Sequence, residues 1–209
     1  MRTIASIKAH KSRKEVALVE FDGEESVELR VETITRFHLK KGLQVSDAQW
    51  ADALRTDAME RCRLQAWKLL SIRLRSRKEL ERALRQRKYE PAIVEEVLRE
   101  LEEKKFLDDA AFAKQFAQQR TARKLGPHRI QQELVARGIK REAAAENAVG
   151  ASNPAEQEAT ARQLLTKWNR RTKPEDQKKR AQTAAAFLLR RGFDGDLVWK
   201  LIREFFSAR

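Results

Sequence analysis

RIQQELVARGIKREAAAENAV, residues 129–149, decides the fold, because the chain carries the same pattern three times. ELERALRQRKYEPAIVEEVL precedes it at residues 79–98, and TAAAFLLRRGFDGDLVWKLI follows at residues 183–202. Aligned on the end of the first helix in each, Leu84, Leu134 and Leu188 coincide, as do Lys88, Gly138 and Gly192, and Tyr89, Ile139 and Phe193. A glycine past a helix end takes the left-handed conformation that closes it. The apolar residue after it turns back between two helices, and the next helix starts two to four residues on. Lys88 lacks a glycine's freedom, so the first copy must turn there with strain or by another geometry. The copies recur about every 50 residues, a length typical of units of two or three helices. The expected fold is mostly α: three tandem three-helix repeats stacked as an elongated curved rod.

Helix punctuation extends the pattern in both directions. Ser46-Asp47 offers an N-cap for a helix running to about Arg73, with apolar residues at Trp50, Leu54, Ala58, Cys62, Trp67, Leu69 and Leu70. Ser76, Asp108 and Asp194 are further cap signals, Gly126-Pro127 separates two helices, and Pro91, Asn153-Pro154 and Pro174 suit first turns. The first 45 residues differ. TIASIKA, KEVALVEF and SVELRVET carry β-branched or alternating apolar positions, and DGEE at 22–25 is a turn signal between two of them. They predict a small antiparallel β-rich domain containing a hairpin, then a short helix near 33–39 and a turn at Lys41-Gly42. The domains expected are 1–45 (β-rich), 46–109 (linker helix and first repeat), 110–152 (second repeat) and 153–209 (third repeat).

Composition narrows the functions. Apolar residues make up 41% of the 209, enough for a core. Charged residues make up 36%, against about 25% in ordinary domains, which implies wide solvated faces. A net charge of +14 calls for a polyanionic partner, nucleic acid first, an acidic protein surface second and an anionic membrane a distant third. Cys62 is the only cysteine, which rules out an intrachain disulfide, fits a reducing cytoplasm and reads as a small core residue. No long apolar window predicts a membrane span, and MRTIASIKAH has no signal-peptide core.

The adjacent carboxylates of KFLDDAAFA, residues 105–113, raise catalysis or metal binding. Either chemistry needs more ligands, and the three histidines, His10, His38 and His128, form no HExxH. The phosphate-loop, dinucleotide and GxSxG motifs are absent too. An Asp before an apolar periodic run is a helix cap, and Phe106 or Leu107 can staple onto Phe112. The pair is expected to be a joint between repeats. No enzyme activity, cofactor, metal or small-molecule substrate is expected.

The positive charge is concentrated. Residues 61–88 carry 11 basic and 2 acidic side chains, and residues 162–209 carry 13 and 5. At 100° per residue, Leu80, Ala83 and Leu84 share one face of a helix, while Lys78, Arg82 and Arg85 form a stripe on the other. The matching residues are His128, Gln132 and Val135 in the second copy and Gln182, Ala186 and Leu189 in the third. The shared fold therefore does not require the stripe. The candidate polyanion-binding residues are Arg73, Arg75, Arg77, Lys78, Arg82 and Arg85, with Arg170, Arg171, Lys173, Lys178, Lys179 and Arg180 around a helix junction in the third copy. Tyr89, Trp168 and Trp199 sit at core spacing and read as packing residues.

RLRSRKEL, KFLDDAAFA, GPHRIQQELVARGI and FLLRRGF, in this order and spacing, resemble the RecX family of bacterial proteins, modulators of the RecA recombinase. The resemblance covers nearly the whole chain, because longer members also carry a β-rich extension ending in a segment like LKKG. Lys88, where the family often has glycine, is the departure. The resemblance implies three tandem three-helix repeats, binding to RecA and to RecA–DNA filaments, limited filament growth or disassembly, and lowered ATP hydrolysis and strand exchange. It also implies direct DNA binding in some members. Two other functions fit the composition. A helix-turn-helix DNA-binding protein would prefer a duplex sequence, and a purely structural adaptor would show no salt-dependent DNA binding.

Overall fold

The computed structural model describes residues 1–22, 26–171 and 176–207. Contacts divide the chain into two units, one formed by residues 1–73 and 81–101, the other by residues 74–80 and everything from 102 onward.

The first unit opens with β1 (Arg2–Ala9), β2 (Val16–Phe21), β3 (Val27–Arg30), α1 (Val31–Arg36) and β4 (Gln44–Val45). The strands form one antiparallel sheet in the order β3-β2-β1-β4. Val19 pairs with Val27 across β2 and β3. Three residues of the expected turn, 23–25, lie outside the described residues. The short helix starts two residues earlier than expected, and the turn at Gly42 has φ +81, with Gly42 N–H donating to the Ile4 carbonyl at 2.8 Å. One sheet face is apolar. Ile4, Val19, Phe21 and Leu29 form a core with Leu39, Val45, Trp50 and Ala53, and the Trp50 ring meets Phe21 edge-on at 4.7 Å.

Trp50 and Ala53 belong to α2 (Asp47–Ile72), which starts on a capping box. Gln49 N–H donates to Ser46 Oγ at 3.2 Å, and Ser46 N–H donates to Gln49 Oε1 at 3.1 Å. The buried face of α2 is Trp50, Ala53, Asp57, Cys62, Ala66 and Leu69. The expected Leu54 is exposed. The true stripe instead contains an acid. Asp57 is 4% exposed and accepts hydrogen bonds from Arg30 N–H at 2.7 Å and Thr33 Oγ1 at 3.0 Å, and Arg61 Nε lies 2.5 Å away. A buried carboxyl group is tolerated there because these donors satisfy its oxygens. It clamps the end of the sheet and α1 to α2. Farther along, Arg55 and Arg63 of α2 pair with Glu96 and Glu100 of α4 (Pro91–Glu103), each at 2.7 Å. The acidic run in α4 thus offsets part of the basic run in α2. Between them lies α3 (Arg77–Arg85), whose residues fall in both units.

The second unit contains the start of α3, then α5 (Asp109–Ala122), α6 (Pro127–Ala136), α7 (Arg141–Gly150), α8 (Pro154–Arg171), α9 (Gln177–Arg190) and α10 (Gly195–Ser207). Helices α5–α7 enclose one core, centred on Phe112, Phe116, Ile130, Leu134 and Ile139. Helices α8–α10 enclose another, with Leu165, Leu188, Phe193, Val198 and Leu201. The fold is therefore mostly helical, with tandem three-helix repeats after a small antiparallel sheet. Pro174, expected to open α9, lies outside the described residues.

The repeats join by one device used twice. At the first joint, Ser76 accepts from Glu79 N–H at 3.2 Å as the cap of α3, while its hydroxyl donates to the Arg137 carbonyl at the end of α6, at 2.6 Å. At the second, Gly126 N–H donates to the Arg191 carbonyl at 2.8 Å, and His128 N–H donates to the Gly192 carbonyl at 3.0 Å. Each middle helix thus places its positive N-terminus on the negative C-terminus of the next middle helix. The approach leaves no room for side chains. A Cβ on Gly138 would sit 2.6 Å from Lys78 Cβ, and one on Gly192 would sit 2.2 Å from the Arg129 nitrogen. Both glycines also have positive φ, +92 and +86. Lys88 adopts the same left-handed turn at φ +63, so the strain expected there is present, at about 1–2 kcal/mol. Its side chain is exposed, so a residue larger than glycine is tolerated there.

Candidate functional site

The acid pair divides its work between two helices. Asp108 caps its own helix, accepting from Ala110 N–H at 2.8 Å and Ala111 N–H at 3.0 Å. Asp109 reaches sideways and accepts from Arg77 N–H at 2.7 Å, satisfying the first turn of α3. Leu107 is buried beside them, whereas Phe106 is half exposed. Among the described residues, no three His, Cys, Asp or Glu side chains gather as a metal site.

The basic residues of α3 separate into two kinds. Arg77 is held in the second unit, its Nε 3.0 Å from Glu102. Lys78, Arg82 and Arg85 are exposed. Lys78 lays the base of its stem against Gly138, which leaves the ammonium outward. Neither Lys78 nor Arg82 meets an acid among the described residues, and Arg85 shares its charge with Glu81 one turn back, at 2.9 Å. The stripe therefore holds two unshared cations and one shared. Before it, Arg73 ends α2 in an extended conformation, and Arg75 is half-buried in the connection.

Two arginines of the second repeat serve its interior, while Arg123 and Arg141 are exposed. Arg120 and Arg137 place their guanidiniums 4.6 and 4.4 Å from the centre of the Phe116 ring. Glu133 lies 2.9 Å from Arg120 and 3.2 Å from Arg129. Glu79 lies 3.4 Å from Arg137. The positions that match the α3 stripe hold His128, Gln132 and Val135, so the second repeat has no stripe like that of α3.

The third-repeat candidates also divide. Arg180 is half-buried, and its guanidinium donates to the Asn169 carbonyl at 3.0 Å and to Asn169 Oδ1 at 2.6 Å, fastening the start of α9 to the end of α8. Lys178 and Lys179 are exposed on the first turn of α9, and Arg170 is exposed on α8. The Arg171 side chain and Lys173 lie outside the described residues. Two cations not singled out in the sequence join this surface. Lys167 and Arg170 share a groove of about 550 Å³ along α8 with Arg162, Gln163 and Thr166. Lys124, at the end of α5, donates to Gln163 Oε1 at 3.1 Å. Lys167 lies three residues before Arg170 and was visible from helical spacing, whereas Lys124 comes from another repeat and gave no local signal. Arg162 is shared with Glu158 at 2.8 Å and Glu204 at 2.5 Å, and the Arg162 and Lys200 hydrogen bonds hold the Glu158 carboxyl below its usual range.

The aromatic residues mostly pack. Tyr89 donates to the Arg61 carbonyl at 3.2 Å, and Trp168 lies against the α8–α10 core. Trp199 differs from expectation and is 46% exposed. LVWKLI has apolar residues on more than one side of a helix; Val198, Leu201 and Ile202 are buried and Leu197 packs partly buried beside them, which leaves Trp199 outward. Cys62 is wholly buried, and burial pushes its thiol up to about 11, with Arg63 opposing. No helix among the described residues is long and apolar enough to cross a membrane.

Comparison with known proteins identifies this arrangement. Sequence models of the RecX first, second and third three-helix domains match residues 62–101, 108–146 and 155–202. The regulatory protein RecX of Geobacillus kaustophilus is 30% identical over 98% of this chain and 77% of its own length. That of Thermobifida fusca is 34% identical over 73% of this chain and 82% of its own length. A crystal structure of regulatory protein RecX has the same fold, with a TM-score of 0.69 at 24% identity over the whole of both chains. The head-to-tail helical repeats and the matches along all three of them show that this chain belongs to the RecX family of regulatory proteins.

Proposed function

We propose that this chain regulates homologous recombination by binding RecA and the RecA–DNA filament, where it limits filament growth or promotes disassembly and so lowers ATP hydrolysis and strand exchange. Membership of the RecX family supports RecA as the partner. The observation that carries the mode of contact is the basic face of α3, which is exposed, carries two cations without acidic partners among the described residues, and has no counterpart in the matching positions of the other repeats. Such a face suits acidic protein surface or phosphate. Lys167, Arg170 and Lys124 in the second unit are the corresponding candidates for a DNA backbone running beside RecA. Arg77 and Arg180 support the fold around these faces. The protein acts in the cytoplasm and needs no chemistry of its own, because holding neighbouring RecA protomers is enough to stop their cycling. The modules proposed are the β-rich domain at 1–45 and the repeats ending near 109, 152 and 209.

Replacing Lys78, Arg82 and Arg85 together by Gln tests this reading. The triple variant should melt like the wild type, since all three side chains are exposed, and should need several-fold more protein to inhibit RecA. If phosphates are the contact, the salt dependence of binding should flatten by roughly two to three ions, in line with counterion release. Undiminished inhibition would remove α3 from the interface. Selection on random duplexes should enrich no sequence motif, and a motif would favour a helix-turn-helix protein acting on DNA alone.

A further inference from the structure

The three repeats can be compared position by position beyond the helix joint. Five, nine and thirteen residues after Lys88 stand Ile93, Val97 and Leu101. The same steps after Gly192 reach Leu197, Leu201 and Phe205. After Gly138 they reach Ala143, Asn147 and Ala151. In the first repeat all three side chains are buried, and in the third Leu201 is buried while Leu197 and Phe205 pack partly buried on the core. In the second repeat the row is made of smaller side chains, and Asn147 turns its amide back onto the Ala143 carbonyl at 2.8 Å.

Space is left where the row would have been. A groove of about 940 Å³ runs between α5 and α7, walled by Ala110, Ala111 and Lys114 on one side and Ala143, Asn147 and Ala151 on the other. Both walls are helices, whose backbone groups are already bonded, so an added strand would find nothing to pair with. A helix presenting large apolar side chains one turn apart would refill the row. The rim indicates the charge of that helix. Lys114 and Lys140 are exposed without acidic partners among the described residues, against Glu146 as the unpaired acid. Asp109 is engaged by Arg77 N–H, and Arg77 by Glu102.

We infer that the α5–α7 groove of the second repeat docks an amphipathic helix of RecA, with an apolar stripe flanked mainly by acids. This rests on the reading that RecA is the partner. The anchor of the complex is then an apolar contact in the second repeat, and the basic faces steer and orient it.

The test refills the groove with the third repeat's own side chains, as Ala143→Leu, Asn147→Leu and Ala151→Phe combined, and separately reverses the rim, as Lys114→Glu with Lys140→Glu. Binding to RecA filaments on single-stranded DNA is titrated for both variants and the wild type, with melting followed by circular dichroism. The refilled variant should melt no lower than the wild type and bind at least tenfold more weakly, and the rim variant should bind three- to tenfold more weakly. Wild-type affinity in a folded, refilled variant would overturn the groove while leaving the RecA reading intact. No binding by the wild type would overturn the RecA reading and this inference with it. Should the refilled variant fail to fold, the rim variant decides, and unchanged affinity there overturns the proposal. Self-association of the wild type that disappears on refilling, seen by sedimentation velocity, would assign the groove to a second copy and equally overturn it.

Discussion

Gly192 shows how one residue can serve two constraints. Its φ of +86 costs a side chain about 1–2 kcal/mol, and the Arg129 backbone would meet any Cβ at 2.2 Å. Gly192→Ala should therefore lose more than about 2 kcal/mol in urea unfolding, beyond the conformational cost alone. Lys88→Gly should do the opposite and gain up to about 1 kcal/mol by relieving φ +63. The helix-closing role of these positions was legible from the aligned repeats. The close approach was not, because the partner segment lies more than 60 residues away in sequence. Asp57 was hidden for a similar reason, since the spacing of α2 suggested Leu54 and nothing local announces the donors Arg30 and Thr33. Asp57→Ala leaves Arg61 without its nearest acid in a half-buried site and should cost about 3 kcal/mol, measured by the same unfolding. Cys62, wholly buried and kept protonated by that burial, should react with a thiol reagent at pH 8 only as fast as the protein opens.

At the scale of elements, caps were the most legible feature. Ser46, Ser76, Asp108, Asn153 and Asp194 all accept from the first turn of the helix expected after them. A cap acts within three residues, so the sequence contains both partners. The acids of α4 were legible as a run but not as partners of Arg55 and Arg63, because pairing across helices depends on the fold. The candidate site was legible in the same uneven way. Spacing along α3 placed Lys78, Arg82 and Arg85 on one exposed face with Glu81 one turn before Arg85, yet could not say that Asn169 occupies Arg180 across two helices. The cap of α10 carries a pH prediction. The Leu197 N–H, then the Asp196 N–H and His128, hold the Asp194 carboxyl below the usual carboxylate range. A depressed folded pKa contributes stability above the unfolded value, about 3.9, and loses it as pH falls through the folded value. The stability difference between wild type and Asp194→Asn should therefore be full at pH 5 and shrink toward pH 2 in urea titrations.

At the scale of the molecule, the repeats share one backbone plan and differ in what they expose. The first displays a basic face on α3, the second an apolar groove, and the third a basic strip along α8. The fold, dictated by buried leucines, glycine turns and caps, does not require particular side chains at those outward positions. Regulation of RecA is the central claim. It is tested most directly by adding the purified protein to preformed RecA filaments on single-stranded DNA and following ATP hydrolysis. Hydrolysis should fall steeply before the protein reaches parity with RecA, and an unchanged rate at that ratio would contradict the account.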